Sequence, residues 1–220
     1  MGSITRGLSN NITTGGVILP AGITNSSVSA VTSFANASGG TLFLLSTQTA
    51  SSSATISFTT GLDSTYDEYI FKFISVRPAT DNTELNFNMS TDAGSNYNVT
   101  KTTTFFRTYH AEDGVSGTTL QYEDTRDLAQ STSFQKLTSN CTSDADQGTS
   151  GTLQLFNPSS TTYVKHFMSS AIHADTSDFA YSAYSAGYGN TTSAVNAIRF
   201  QFSSGNIADG IFKLYGVKKS

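Results

Sequence analysis

Charge is scarce in this sequence. Asp, Glu, Lys and Arg make up 13% of its 220 residues, about half the usual share for a soluble domain. Residues 1–62 hold a single charged side chain, Arg6, and every other charge lies beyond them. A net charge of −4 with only 12 Lys and Arg argues against binding nucleic acid through a basic face. One cysteine, Cys141, excludes an intrachain disulfide and predicts a buried, inert thiol. With that one cysteine and three scattered histidines, a zinc site of the usual ligand set is not predicted. Tryptophan is absent and proline occurs three times. No apolar run nears the length of a membrane-spanning helix; Leu42 to Leu45 is among the longest, so no membrane insertion is predicted. The opening MGSITRG lacks a basic start followed by an apolar stretch, which predicts no secretory leader. Arg6 stands where a myristoylation pattern needs Ser or Thr.

Hydroxyl takes the place of charge. Ser and Thr number 66, or 30% of the chain. These side chains suit strands and turns and keep a surface wet without ionising. From residue 41 onward the hydrophobic period is two. Ala54, Ile56 and Phe58 alternate with Thr55, Ser57 and Thr59; Leu85, Phe87 and Met89 alternate with Asn86, Asn88 and Ser90; Ile198, Phe200 and Phe202 alternate with Arg199 and Gln201. Each pattern predicts a half-buried strand. The run YIFKFISV, 69–76, is apolar on nearly both faces, as a central strand is. Further strands are predicted over 41–48, 98–109, 116–122, 133–140, 150–156, 161–172, 177–188 and 209–217. Turn phrases separate them, among them Asp92-Ala93-Gly94-Ser95-Asn96, Asn157-Pro158 and Ser204-Gly205-Asn206. One helical turn is predicted near Asp127-Leu128-Ala129-Gln130. No strict repeat occurs, which disfavours a propeller or solenoid. The fold class is therefore all-β: an antiparallel β-sandwich, jelly-roll-like, over residues 41–220, preceded by an extended N-terminal arm over residues 1–40.

That arm is nearly uncharged yet carries Ile4, Leu8, Ile12 and the run Val17-Ile18-Leu19. A disordered tail has the opposite composition. Two readings stand: the arm docks these residues onto another subunit, or it supplies the first strand or two of the same domain.

Constellations that could carry chemistry are sparse. His110, Glu112 and Asp113 in YHAEDG read as a strand end and polar turn. His166 and His173, seven apart on one strand, fall on opposite faces about 23 Å apart and cannot share a metal. DADQG, 144–148, lacks the later oxygen ligands of a calcium loop. Glu123 and Asp127 in EDTRD could form a carboxylate pair for glycoside hydrolysis, or Glu123 and Asp127 could pair locally with Arg126. There is no nucleophile elbow, Walker loop or dinucleotide fingerprint, so no catalytic residue, metal ligand or cofactor is assigned. The most suggestive segment is DFAYSAYSAGYGN, 178–190. Its Tyr181 falls on one strand face and Tyr184 and Tyr188 on the other. Tyrosines among Ser and Gly make adaptable recognition surfaces that can stack on sugar rings, and they also fill sandwich cores.

Four phrases, ITRGLSNNITTGGV, ISFTTGLDSTYDEYIFKF, TRDLAQSTSFQKL with LFNPSSTTYVKHF, and FSSGNIADGIFKLYGVKK, span nearly the whole chain. Together they resemble virion structural proteins of marine tailed bacteriophages, cyanophages in particular. The resemblance rests on strand-and-turn phrases and implies a non-enzymatic particle component, located in the virion and assembled in the host cytoplasm. Its partners would be other tail or capsid proteins, with a homotrimer expected from fibre-like relatives and a host surface glycan as a possible receptor. A tail-associated fibre or adaptor is the first expectation. A capsid decoration or head-fibre protein is the second, and a carbohydrate-binding or glycan-cleaving domain the third.

Overall fold

The structure is a computed structural model that describes residues 41–115 and 117–217, together with the backbone of residues 12–13 and 16–17. The chain divides between residues 40 and 41 into two units. In the first, β1 (Ile12–Thr13) and β2 (Gly16–Val17) form a two-rung antiparallel ladder with Ile12 opposite Val17. Of the other proposed attachment residues, Ile4, Leu8, Ile18 and Leu19 lie outside the described residues.

The second unit contains twelve strands: β3 (Leu42–Ser53), β4 (Ile56–Phe58), β5 (Glu68–Pro78), β6 (Leu85–Ser90), β7 (Lys101–Ala111), β8 (Thr118–Tyr122), β9 (Gln135–Lys136), β10 (Thr149–Phe156), β11 (Lys165–Ala174), β12 (Phe179–Gly189), β13 (Ala197–Phe202) and β14 (Ile207–Val217). They form an antiparallel sandwich with an eight-stranded sheet, β3-β14-β5-β10-β11-β12-β7-β8, and a four-stranded sheet, β4-β13-β6-β9. Most connections between successive strands change sheet. Among the described residues there is no helix.

The alternation read in the sequence sets which side chains face the gap between the sheets. On β5, Tyr69, Phe71 and Phe73 point inward and are fully buried, while Ile70, Lys72 and Ile74 face out. This strand is internal, between β14 and β10, as its doubly apolar character requires. Phe200 of β13 and Phe87 of β6 face each other in register. Phe200 packs on Phe71 at 5.6 Å and Phe212 at 5.3 Å between ring centroids, and Phe87 meets Phe167 edge-on at 4.9 Å. Each buried ring contributes about 1.5–3 kcal/mol relative to exposure.

Four strands cannot cover the inner face of eight. The remaining area, over β11, β12 and β7, is covered by segment 123–142. Its side chains reach the inner face, where Thr103 Oγ1 donates to Gln135 Oε1 at 2.5 Å and Ser139 Oγ bonds His173 Nε2 at 2.9 Å. Its backbone extends the sheet beside β7: Lys101 and Ser131 exchange hydrogen bonds of 2.8 and 3.0 Å, and Thr103 N donates to Leu128 O at 2.9 Å. This half of the interior mixes polar with apolar side chains: Thr103, Gln135, Thr138, Ser139, Ser169, Ser185 and His173 are buried beside Phe105, Ala171 and Ala183. The hydroxyl-rich composition is thus used inside the fold as well as on its surface.

Four expectations need correction. β6, read as half-buried, is buried on both faces: Asn86, Asn88 and Ser90 are covered as well as Leu85, Phe87 and Met89. The Asn88 amide donates to the carbonyls of Tyr97 at 2.7 Å and Thr132 at 2.9 Å in the segments that cover it. The strand predicted over 133–140 contracts to Gln135–Lys136, because the Thr138 hydroxyl accepts from Leu85 N at 2.8 Å and takes over a ladder position. The strand predicted from 161 starts at Lys165, whose ammonium instead gathers the carbonyls of Ser160 at 2.7 Å and Tyr163 at 2.6 Å and fixes the preceding turn. The helical turn predicted at 127–130 is a tight turn over 124–126, closed by Arg126 N donating to Glu123 O at 3.0 Å.

Candidate functional surface

On the outer face of the eight-stranded sheet, register brings together residues that are distant in sequence. Tyr184 on β12 lies opposite Phe106 on β7, and Phe106 lies opposite Tyr122 on β8. The Tyr184 and Phe106 rings stack with centroids 5.0 Å apart and planes 15° apart. The three are 38%, 41% and 56% exposed. This aromatic tier runs across three neighbouring strands, roughly 10 Å at sheet spacing. The Tyr122 phenol donates to Asp127, which fixes the end of the row. Tyr188 lies farther along β12 beside His166, with ring centroids 6.3 Å apart. It lines a shallow hollow of about 300 Å³ with Thr102, Thr103, Thr104, Ala186 and Gly187. Leu120, Met168 and Ile172 are exposed on the β8 and β11 flanks of the tier.

The face therefore offers flat rings, hydroxyls from Thr104, Thr108, Ser170 and Ser182, and little charge. Aromatic rings give contact area at low entropic cost, and a sheet holds them at fixed spacing.

Tyr184 and Tyr188 do share a face, as their spacing predicted. Tyr181 corrects the recognition reading: it is 8% exposed and points inward. Its ring stacks on His173 at 5.2 Å and lies under the Arg107 guanidinium at 4.9 Å. Phe106 and Tyr122 were missed. Their in-and-out phase was legible in FFRTY and TTLQY, but the strand order that sets them beside Tyr184 was not.

The carboxylate pair of EDTRD does not converge. Glu123 is buried between Arg107, at 2.7 Å, and Arg126, at 3.3 Å, while Asp127 accepts from the exposed Tyr122. Arg126 continues to Glu84 at 2.8 Å, and Lys136 reaches the same carboxylate at 3.1 Å. This is an ion network holding segment 123–142 against the sheets. His173 Nε2 bonds Ser139 Oγ at 2.9 Å. Burial, with Arg107 and Arg126 nearby, pulls the imidazole down to about 3. Its Nδ1 has no protein partner, so no acid stands behind it as in a nucleophile–base–acid triad. His110 is exposed at the end of β7, and His166 faces outward on β11, opposite in direction to His173. Among the described residues, no group of three or more His, Cys, Asp or Glu is placed to hold a metal ion. Cys141 is buried, and burial raises its thiol pKa.

No protein-family model, curated protein or solved structure matches this chain.

Proposed function

We propose that this chain is a non-enzymatic structural subunit of a bacteriophage particle, a tail-associated fibre or adaptor. In this reading residues 1–40 attach it, and the sandwich of residues 41–220 is displayed outward as a rigid recognition body. The observation that carries the reading is the outward tier of Tyr184, Phe106 and Tyr122, mounted on an eight-stranded sheet. Such a row fits a neutral host-surface glycan, whose sugar faces stack on aromatic rings while its hydroxyls meet Ser and Thr. The scarcity of charge supports the same role. At the ionic strength of seawater surface ion pairs are strongly screened, and a hydroxyl-rich surface loses little there.

Replacing Tyr184 and Tyr188 together with Ala tests the recognition role. Binding to host cells or their isolated surface polysaccharide should fall at least tenfold with the fold intact. Unchanged binding contradicts it.

A second reading, a capsid decoration protein, draws support from the aliphatic flank of Leu120, Met168 and Ile172, a chemistry suited to a protein neighbour. Copy number separates the two. A tail subunit is present in a few tens of copies or fewer per particle, a decoration protein in hundreds.

A further inference from the structure

We propose that two copies of this chain pair through β3, edge to edge and antiparallel, about a two-fold axis at Gln48. The two sheets have four edge strands. β8 has five residues, β4 three and β9 two, and short edges resist pairing with other chains. β3 is the exception. It has twelve residues, LFLLSTQTASSS, with no charge and no proline, so two of the devices that keep an edge strand solitary are missing. Its outer edge has no strand partner among the described residues. Leu42, Phe43, Leu44 and Leu45 are 36–55% exposed, an apolar stretch at the same edge.

The occupant follows from the chemistry of the strand. A neutral row of Ser, Thr and Gln offers a charged partner no attraction and offers its own copy no repulsion. Antiparallel pairing about a two-fold axis is self-complementary and uses up the edge on both copies, so that contact closes. The register follows from two irregularities. The pairing with β14 shifts between Leu214 and Tyr215, which leaves Leu45 without a residue opposite. Ser52 has a left-handed φ of 50°. Between them lies a regular stretch, Ser46–Ser51, in which Gln48 turns inward to donate to Ser57 O at 2.7 Å. Centring there sets Thr47, exposed on the outer face, opposite Thr49 of the second copy, with Ser46 opposite Ala50. The paired sheets become one sheet of sixteen strands. This contact does not depend on the particle role, and it is separate from any threefold association of the chain.

Sedimentation equilibrium of the full chain at tens of micromolar tests it. The wild-type mass should be at least twice that of the double variant Thr47→Lys with Thr49→Lys, which sets ammonium groups against each other across the axis. Thr47→Lys with Thr49→Glu should restore the wild-type mass, because each new charge then faces its opposite. Both side chains are exposed, so circular dichroism should be unchanged in all three proteins. Equal masses for the wild type and the double-lysine variant overturn the pairing. A mixed-charge variant that stays at the reduced mass overturns the Gln48-centred register.

Discussion

His173 sits where a proton is disfavoured. It is 3% exposed, and burial, then the nearby Arg107 and Arg126 charges, lowers its pKa to about 3 from an ordinary 6.5. Between those values the unfolded chain takes up a proton that the folded chain refuses, so stability falls as pH drops from about 6.5 toward 3, by at most about 1.4 kcal/mol per pH unit. Chemical denaturation at pH 7 and pH 4.5 should show this loss in the wild type, and a smaller one in His173→Gln. Equal losses would remove His173 from the account. Lys101 acts in the same direction in a higher window. Fully buried, with its ammonium on Asn88 Oδ1 at 2.5 Å and Val99 O at 2.7 Å, it is pulled by burial from 10.5 to about 7. Here too the unfolded state binds the extra proton, so stability rises with pH between about 7 and 10.5. The difference in unfolding free energy between the wild type and Lys101→Met should change across that window in favour of the wild type. A difference that stays flat would contradict the assignment.

At the scale of strands, β14 carries the most constrained position. Gly210 has φ +132°, and a Cβ there would sit 2.6 Å from Val76 Cα. The residue lies where the pairing of β14 with β5 shifts register. Gly210→Ala should cost about 2 kcal/mol or more, read as a lower urea midpoint. Tyr184→Ala, on the exposed face of β12, should cost about 1 kcal/mol, whereas Phe200→Ala in the core should cost about 3–5 kcal/mol. A Tyr184 cost as large as that of Phe200 would assign the tyrosine to the core. These strands were largely legible in the sequence, because alternation is local: Leu85-Phe87-Met89 and Ile198-Phe200-Phe202 each announce a buried face. Phase was legible too, since it separates Tyr181 from Tyr184 and His166 from His173. Which of those faces is covered was not, because cover depends on sheet order. The irregular cover over β7 and β11 was hidden as well. Its bonds to them are made by the side chains of Gln135 and Ser139 and the backbone of Leu128 and Ser131, all of which in sequence look like ordinary strand or turn residues. The aromatic tier was half visible, through Tyr184, and the other half waited on the pairing of β12 with β7 and β7 with β8.

For the whole molecule, the proposal joins two parts with different tasks. Residues 41–220 hold their own core, with Phe58, Phe71, Phe87, Phe167, Phe200 and Phe212 in one cluster. Deleting residues 1–40 should therefore leave a folded domain that melts cooperatively. In the proposed role that domain no longer joins the particle, and normal incorporation of the truncated chain would refute the anchoring task. The measurement that bears most directly on the account is an electron cryomicroscopy image of the intact phage with antibody fragments against the sandwich bound to it. The account predicts density at the tail, outward-facing and in roughly a few tens of copies or fewer. Purified infectious particles that carry no copy of the chain would contradict it.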